Sequence, residues 1–514
     1  MVNSSLQERY DQLPFEGATA PATHPSRLAA IAQLAGFKPP DVQSARVLEL
    51  GCGLGVNLIA MAQHLPGARF VGIDLSPAQI RVGQEIIATL GLTNVELKAL
   101  DVQEITPSLG SFQYIVCHGV YSWVPAQVQT QMLRVYAQNL CENGIGHLSF
   151  QVHPGNYPWM VMHELLTRRA RAAGEANALP AAREMLGILR ACLSENQSPL
   201  APLLRGQIDF LEKMPDWFVA HETLAPINTA TFFDEFIAQA AAQGLGYLGD
   251  AVPHVGAPER LAPAARQALQ QNASSRIERE LWMDVLTQRQ TRESILSHAS
   301  ALPSAEQARL PERVRGLYVA SPAKIRQQTP KPSSDVVYYT VGDAETGTAD
   351  RIVKSLIDRL IALWPESVSV DQLISLESRN LSVNEQKLCE TLCQMQAFGL
   401  VEFDSVAPRC RRSVGEQPST SPLARWQAAR SDRVTNLRHT PGTVTPLERL
   451  VLRRLDGSRS HSQLLNDLVA DVELEPLAIA DLKVEPDRSG GVRTALSQSL
   501  EPLLSDLARY GLLF

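Results

Sequence analysis

Short apolar runs ending in acids and glycines dominate the first 150 residues. Val47-Leu48-Glu49-Leu50 and Arg69-Phe70-Val71-Gly72-Ile73-Asp74 each read as a strand with a carboxylate at its end. Val95 to Leu100, Phe112 to Cys117 and residues 144–150 add three more. After the second strand, Ser76 is a suitable N-cap and Pro77 a suitable first residue for a helix reaching to about Leu90. A further helix is predicted near 126–140. Strands alternating with helices at this spacing predict a parallel, doubly wound α/β sheet. Ahead of it, Pro25 followed by Leu28, Ile31 and Leu34 predicts a helix packed on that sheet.

Beyond the fifth strand the pattern changes. Residues 157–227 are rich in Ala, Leu and Arg with no strand period, and read as a helical insertion. A helix over 231–243 and strands at 245–249 and 291–298 then complete the α/β domain, whose two parts are 1–156 and 228–300. The rest carries an apparent duplication. Leu356 to Pro365 followed by Val370 to Ile374 parallels Leu447 to Gly457 followed by His461 to Leu465. Each half closes on a helix running into a short apolar strand, at 393–401 and 507–513. Helix, helix, helix, strand predicts two winged-helix-like modules, 301–408 and 409–514, joined by a Pro/Ser/Arg-rich stretch around 404–424.

A chain of 514 residues exceeds what one core supports and fits several domains. With 45% hydrophobic and 20% charged residues it has the composition of a globular protein. A net charge of −7 argues against a nucleic-acid or anionic-membrane partner. Arg409, Arg411, Arg412, Arg425, Arg430, Arg433 and Arg438 are locally basic, but the helices that would enter a groove carry Asp371, Glu377 and Asp467. No apolar run reaches the length of a membrane span, and Met1 to Asp11 lacks the apolar core of a secretory signal. The seven cysteines are scattered, and Cys389 and Cys393 find no second Cys/His pair at zinc spacing. They read as core thiols in a reducing cytoplasm, and no metal is expected.

The chemistry starts at Gly51-Cys52-Gly53-Leu54-Gly55, where glycine lets the backbone turn tightly and approach a ligand. The dinucleotide fingerprint would need glycine at 56, which is Val56. Glu49 suits a cationic ligand better than a pyrophosphate, Asp74 is placed to accept both hydroxyls of a ribose, and Asp101-Val102 follows the third strand. This arrangement resembles the class I methyltransferases that use S-adenosylmethionine (SAM). The resemblance implies that Glu49, Gly51, Gly53, Gly55, Asn57, Asp74, Leu75, Gln79, Asp101, Val102 and His118 contact the cofactor.

His118-Gly119-Val120-Tyr121-Ser122-Trp123-Val124-Pro125 sits where an α/β sheet places its ligands, beyond the carboxyl end of a strand. Together with Tyr10-Asp11, Thr23-His24-Pro25-Ser26-Arg27-Leu28, His221-Glu222 and Arg289 to Leu296, it resembles one family. These are bacterial methyltransferases with an appended methyltransferase regulatory domain, among them protein-lysine methyltransferases acting on rickettsial outer-membrane proteins. The resemblance implies N-methylation of lysine, with Tyr121 and Trp123 walling an aromatic acceptor pocket and His118 orienting the cofactor or accepting a proton. The alternatives are that both aromatics pack the following helix and that His118 is a core histidine. The lysine enzymes carry Tyr-Asn-Thr-Tyr-Pro-Gly-Trp after the fifth strand; here Phe150-Gln151-Val152-His153-Pro154-Gly155-Asn156 stands there. Gln151 and His153 are thereby expected beside the acceptor, which leaves a protein, a peptide or a small metabolite open as substrate. A SAM-sensing protein without turnover is the reading from another class. Residues 157–227, by likeness to the family's dimerisation region, are expected to pair two copies.

Overall fold

The computed structural model describes residues 17–303, 310–326, 335–473, 476–482 and 489–514. Tyr10-Asp11, part of the family resemblance, lies outside them. Eight strands form the main sheet: β1 (Arg46–Leu50), β2 (Arg69–Asp74), β3 (Val95–Ala99), β4 (Phe112–Cys117), β5 (Leu140–Val152), β6 (Ala230–Thr231), β7 (Leu245–Asp250) and β8 (Thr291–His298). Their order is β3-β2-β1-β4-β5-β8-β7, with β6 beside the end of β5. The strands from β3 to β5 run parallel, as expected, whereas β8 enters antiparallel between β5 and β7. The parallel rule fails there because β7 and β8 follow each other on one edge and need no return crossover to the opposite end.

Alternate side chains feed two cores. Leu48, Ile115 and Leu148 point to one face, while Val47, Tyr114 and Val116 point to the other. Strands buried on both faces must be continuously apolar, which is why β1 and β4 are legible in the sequence. One face is covered by helix α1 (Pro25–Leu34) and α2 (Val56–His64), the other by a helix at Ala126–Asn139. The helix after β2, Pro77–Leu90, starts as expected: Ser76 Oγ accepts from Gln79 N at 3.2 Å.

The insertion folds as helices Tyr157–Ala173, Ala178–Leu193 and Ala201–Lys213, sharing their own core of Trp159, Leu166, Leu186 and Leu211. Two helices between β7 and β8, Pro263–Asn272 and Arg276–Thr287, were not foreseen because their polar composition hides a single apolar stripe. The middle module has the expected order, Arg351–Leu363, Val370–Leu381, Glu385–Ala397, then a strand at Glu402–Asp404. In the last module the closing strand at 507–513 does not form among the described residues. The final helix runs to Arg509, and Leu512 and Leu513 enter the core as extended chain tied by Phe514 N to Ser419 O. The stretch 404–424 is no free linker: Cys410, Leu423 and Ala424 are buried, and Leu423 packs on Ile59 and Ala60 of α2. The arginines form no continuous basic face either. Arg438 is buried against Glu402 and Asp404, and Arg430 lies over Trp426. No helix among the described residues is long and apolar enough to cross a membrane.

Candidate functional site

A cavity of about 450 Å³ opens at the carboxyl ends of β1, β2 and β4, the size of sites that bury a small molecule. Its floor is the glycine turn after β1. Gly51 has φ +72°, and a Cβ there would lie 2.4 Å from a Val120 methyl. Gly55 has the same φ, but its missing Cβ makes room for Leu97, so it shapes the turn without lining the cavity. The turn is stitched to β2: Gly51 N and Cys52 N both donate to Ile73 O, and Gly53 N donates to Asp74 Oδ2 at 2.8 Å. Asp74 Oδ1 accepts from Ser76 N at 2.9 Å, so this carboxylate also fixes the loop it stands on.

The acids differ in state. Glu49 is buried, accepts from Asn57 Nδ2 at 2.7 Å through Oε1, and has no partner for Oε2 among the described residues. Burial raises its pKa to about 7, against the lowering effect of the Asn57 bond and of His118. Gln79 Oε1 is likewise buried without a described partner. His118 borders the cavity 41% exposed, 3.6 Å from Glu293. Burial opposes its charging, yet the Glu293 carboxylate outweighs that and holds the imidazole above the ordinary histidine range. Glu293, held well below the carboxylate range against its own burial, also bonds His147 Nε2 at 3.0 Å.

Of the expected residues, Glu49, Gly51, Gly53, Asn57, Asp74, Leu75, Gln79, Asp101, Val102, His118 and Trp123 converge on this cavity. Tyr121, Gln151 and His153 do not. Tyr121 is buried in an aromatic cluster with Phe150 and Phe236, its hydroxyl bonded to Gln239 at 2.9 Å. Gln151 pairs with Asn156 at 2.8 Å, so two of the changed loop positions satisfy each other below the surface. His153 stacks on Tyr157 and packs against Phe232. All three side chains find apolar or amide partners inside the fold, and these draw them away from the cavity.

Phe218 and Glu222 stand out among the lining residues that the motifs leave out. Phe218 and Glu222 reach the cavity from the far end of the helical insertion, where a single turn of π-helix, Val219–Thr223, re-aims the chain. Burial raises Glu222 to about 7, with His118 acting in the opposite sense. His221-Glu222 was visible as a family signature, but nothing local assigned it to a site built mainly from residues 49–132. An apolar lining, a glycine floor that a Cβ would fill, and buried acceptors at Glu49 and Gln79 suit a nucleoside carrying a cationic substituent.

Family models match three segments: a "Methyltransferase domain" at 47–144, a "Predicted methyltransferase regulatory domain" at 215–298, and "PKMT, C-terminal winged helix domain" at 416–512. The regulatory segment is not appended to the catalytic sheet but supplies its β6, β7 and β8. The uncharacterised protein RP789 of Rickettsia prowazekii is 27% identical across 98% of this chain and 93% of its own. RP028 of the same organism is 35% identical, over 47% of this chain and 96% of its own. PKMT2 from Rickettsia typhi in complex with AdoHcy superposes with a TM-score of 0.84 at 26% identity, covering 97% of this chain and 100% of that one. The glycine-floored cavity, the three matched segments and the near-complete superposition agree: the chain belongs to the SAM-dependent class I methyltransferases that carry a methyltransferase regulatory domain and a C-terminal winged-helix domain.

Proposed function

We propose that the enzyme N-methylates lysine side chains of a protein substrate. The observation that carries this reading is the joint approach of Trp123, Phe218 and Glu222 to the same cavity as the cofactor cradle. The bound cofactor supplies an electrophilic sulfonium methyl. Asp74 would take the ribose hydroxyls, Asp101 and Val102 the adenine, and Glu49 would face the positive end. A lysine amine has an ordinary pKa near 10.4 and must shed a proton before its lone pair can attack. Glu222, titrating near 7, first attracts the ammonium and then accepts that proton. The apolar walls of Trp123 and Phe218 desolvate the amine and so favour its neutral form. With the methyl donor bound, the lone pair would form the new C–N bond as the C–S bond breaks toward sulfur, and these walls would orient the amine for that transfer. The kinship with PKMT2 supports the same acceptor class.

Release of S-adenosylhomocysteine from a cell lysate, with mass spectrometry of the methylated species, tests the acceptor. Methyl-lysine on a protein is expected; a methylated metabolite or free peptide would replace this reading, and no release at all would favour a cofactor sensor. Glu222→Gln should lower turnover by about 10²-fold or more while leaving S-adenosylhomocysteine affinity near wild type. Unchanged turnover would remove Glu222 from the mechanism.

Two further parts of the reading concern the whole protein. Seven unpaired cysteines support a reducing, cytoplasmic setting. Leu165, Ile188, Leu203 and Phe210 stand exposed on the 157–227 helices, and a second copy of this chain is the partner that reading assigns to them.

A further inference from the structure

His439 lies between the two short strands Arg433–Thr435 and Pro441–Thr443 of the C-terminal module, with φ +62°. It reaches across to the α/β domain and is 1% exposed. Its Nε2 stands 2.7 Å from Asn57 Oδ1. Asn57 in turn donates through Nδ2 to Glu49 Oε1 at 2.7 Å and to Thr23 Oγ1 at 3.0 Å. We propose that His439 is a positioning residue for the cofactor carboxylate Glu49, so that the cofactor site is complete only with the C-terminal module docked.

The neighbours of Asn57 decide which way its amide points. Asn57 Oδ1 accepts from Ala20 N at 3.0 Å and lies 2.7 Å from His439 Nε2. A backbone N–H can only donate, so Oδ1 faces Ala20 and His439, and Nδ2 faces Glu49. His439 must therefore be the neutral tautomer with its proton on Nε2. Its surroundings keep it neutral: burial first, then the neighbouring His24, His64 and Arg27, hold it well below the ordinary histidine range. Losing this donor leaves Ala20 N and Thr23 Oγ1 to hold the Asn57 amide, which is then fixed less firmly, and the hydrogen bond that favours the charged form of Glu49 weakens. The other titratable groups facing Glu49 are His118, Asp74, Tyr136 and the thiols of Cys52 and Cys117, none of which the C-terminal module carries.

His24, His64 and His439 bring ring nitrogens within 4.8 Å of one another, but the hydrogen bonding of His24 works against a shared ion there. His24 Nδ1 accepts from Ser26 N at 3.2 Å, which puts its proton on Nε2 and makes that atom a donor, not a ligand. The docking around His439 is otherwise ionic: Arg438 pairs with Glu402 and Asp404, and Arg27 of α1 pairs with Glu402 at 2.9 Å. These contacts hold the loop in place without touching Asn57, and the link to Glu49 is left to the imidazole.

This proposal rests on Glu49 being a cofactor residue, and its test separates the two. Calorimetry with S-adenosylhomocysteine across pH 5.5–8.5 is run on the full-length wild type, Glu49→Gln, His439→Phe and His439→Gln. His439→Phe should weaken binding about tenfold at pH 7 and move the pH midpoint of affinity upward. His439→Gln, which keeps an N–H donor, should restore most of both. A wild-type affinity and midpoint in a folded His439→Phe would overturn the proposal; an indifferent Glu49→Gln would instead overturn the role of Glu49. Nitrogen-15 histidine spectra of the wild type give a measurement that no misfolded variant can spoil. The His439 signals should report a neutral ring with its proton on Nε2 and should shift on saturation with S-adenosylhomocysteine. A protonated ring, or signals unmoved by the ligand, would also overturn the proposal.

Discussion

Asp74 does two jobs with two oxygens. It anchors the glycine turn through Gly53 N and Ser76 N, and it presents the same carboxylate to the cavity. Asp74→Ala should therefore cost about 2–4 kcal/mol of cofactor affinity, the worth of two charge-assisted hydrogen bonds. Calorimetry with S-adenosylhomocysteine measures this, and an unchanged Kd would remove Asp74 from the site. Glu49 gives a pH signature. Burial raises its pKa to about 7, so its anionic form is present above that pH and lost as pH falls through it. A ligand whose cation needs that anion should bind with constant affinity above pH 7. Below it, affinity should fall by up to tenfold per pH unit, and Glu49→Gln should flatten the profile.

At the scale of elements, the edge of the sheet is pinned by one arginine. Arg292 on β8 is fully buried, bonding Asp284 at 2.8 Å, Asp250 at 2.8 Å and Glu280 at 3.0 Å while lying over the Phe233 ring. These partners sit on β7, on the helix Arg276–Thr287 and at the start of the helix Phe233–Ala242. Replacing it by leucine leaves buried carboxylates with Arg289 as the remaining cation. Arg292→Leu should destabilise the protein by about 3–5 kcal/mol, read as a lower midpoint in urea unfolding. Because β8 bears Glu293, which charges His118, turnover in the surviving folded fraction should also drop. The network was not legible in advance. Its members are spread over 250–292, and a buried ion cluster leaves no periodic mark in a sequence.

For the whole molecule, the insertion makes the clearest prediction. Leu166 and Leu186 are consumed by its own core, so only the outward side of the expected leucine-rich face remains for a partner. Light scattering of the intact protein should report a dimer, and deletion of 157–227 should report a monomer that has also lost Phe218 and Glu222 from its cavity. A monomeric intact protein at micromolar concentration would leave the insertion as a lid within one chain.

The local features around the first two strands were written in the chain. The glycine turn, the acids at strand ends and the capped helix after β2 each follow from steric or hydrogen-bonding rules that act within a few residues. Eleven of the expected residues, from Glu49 to Trp123, line the one cavity, but Asn57, Leu75, Gln79, His118 and Trp123 were expected there only through the family resemblance. Tyr121, Gln151 and His153 were misplaced because strand-end position does not say which way a side chain turns once Phe236, Asn156 or Phe232 competes for it. Glu222 and His439 belong to the same failure, seen from the other side. Both reach the cofactor region from segments remote in sequence, and only the packing of the insertion and of the C-terminal module against the sheet decides that they arrive. Burial then sets their chemistry, since a carboxyl titrating near 7 and an uncharged histidine are products of the low-dielectric surroundings that tertiary contacts create.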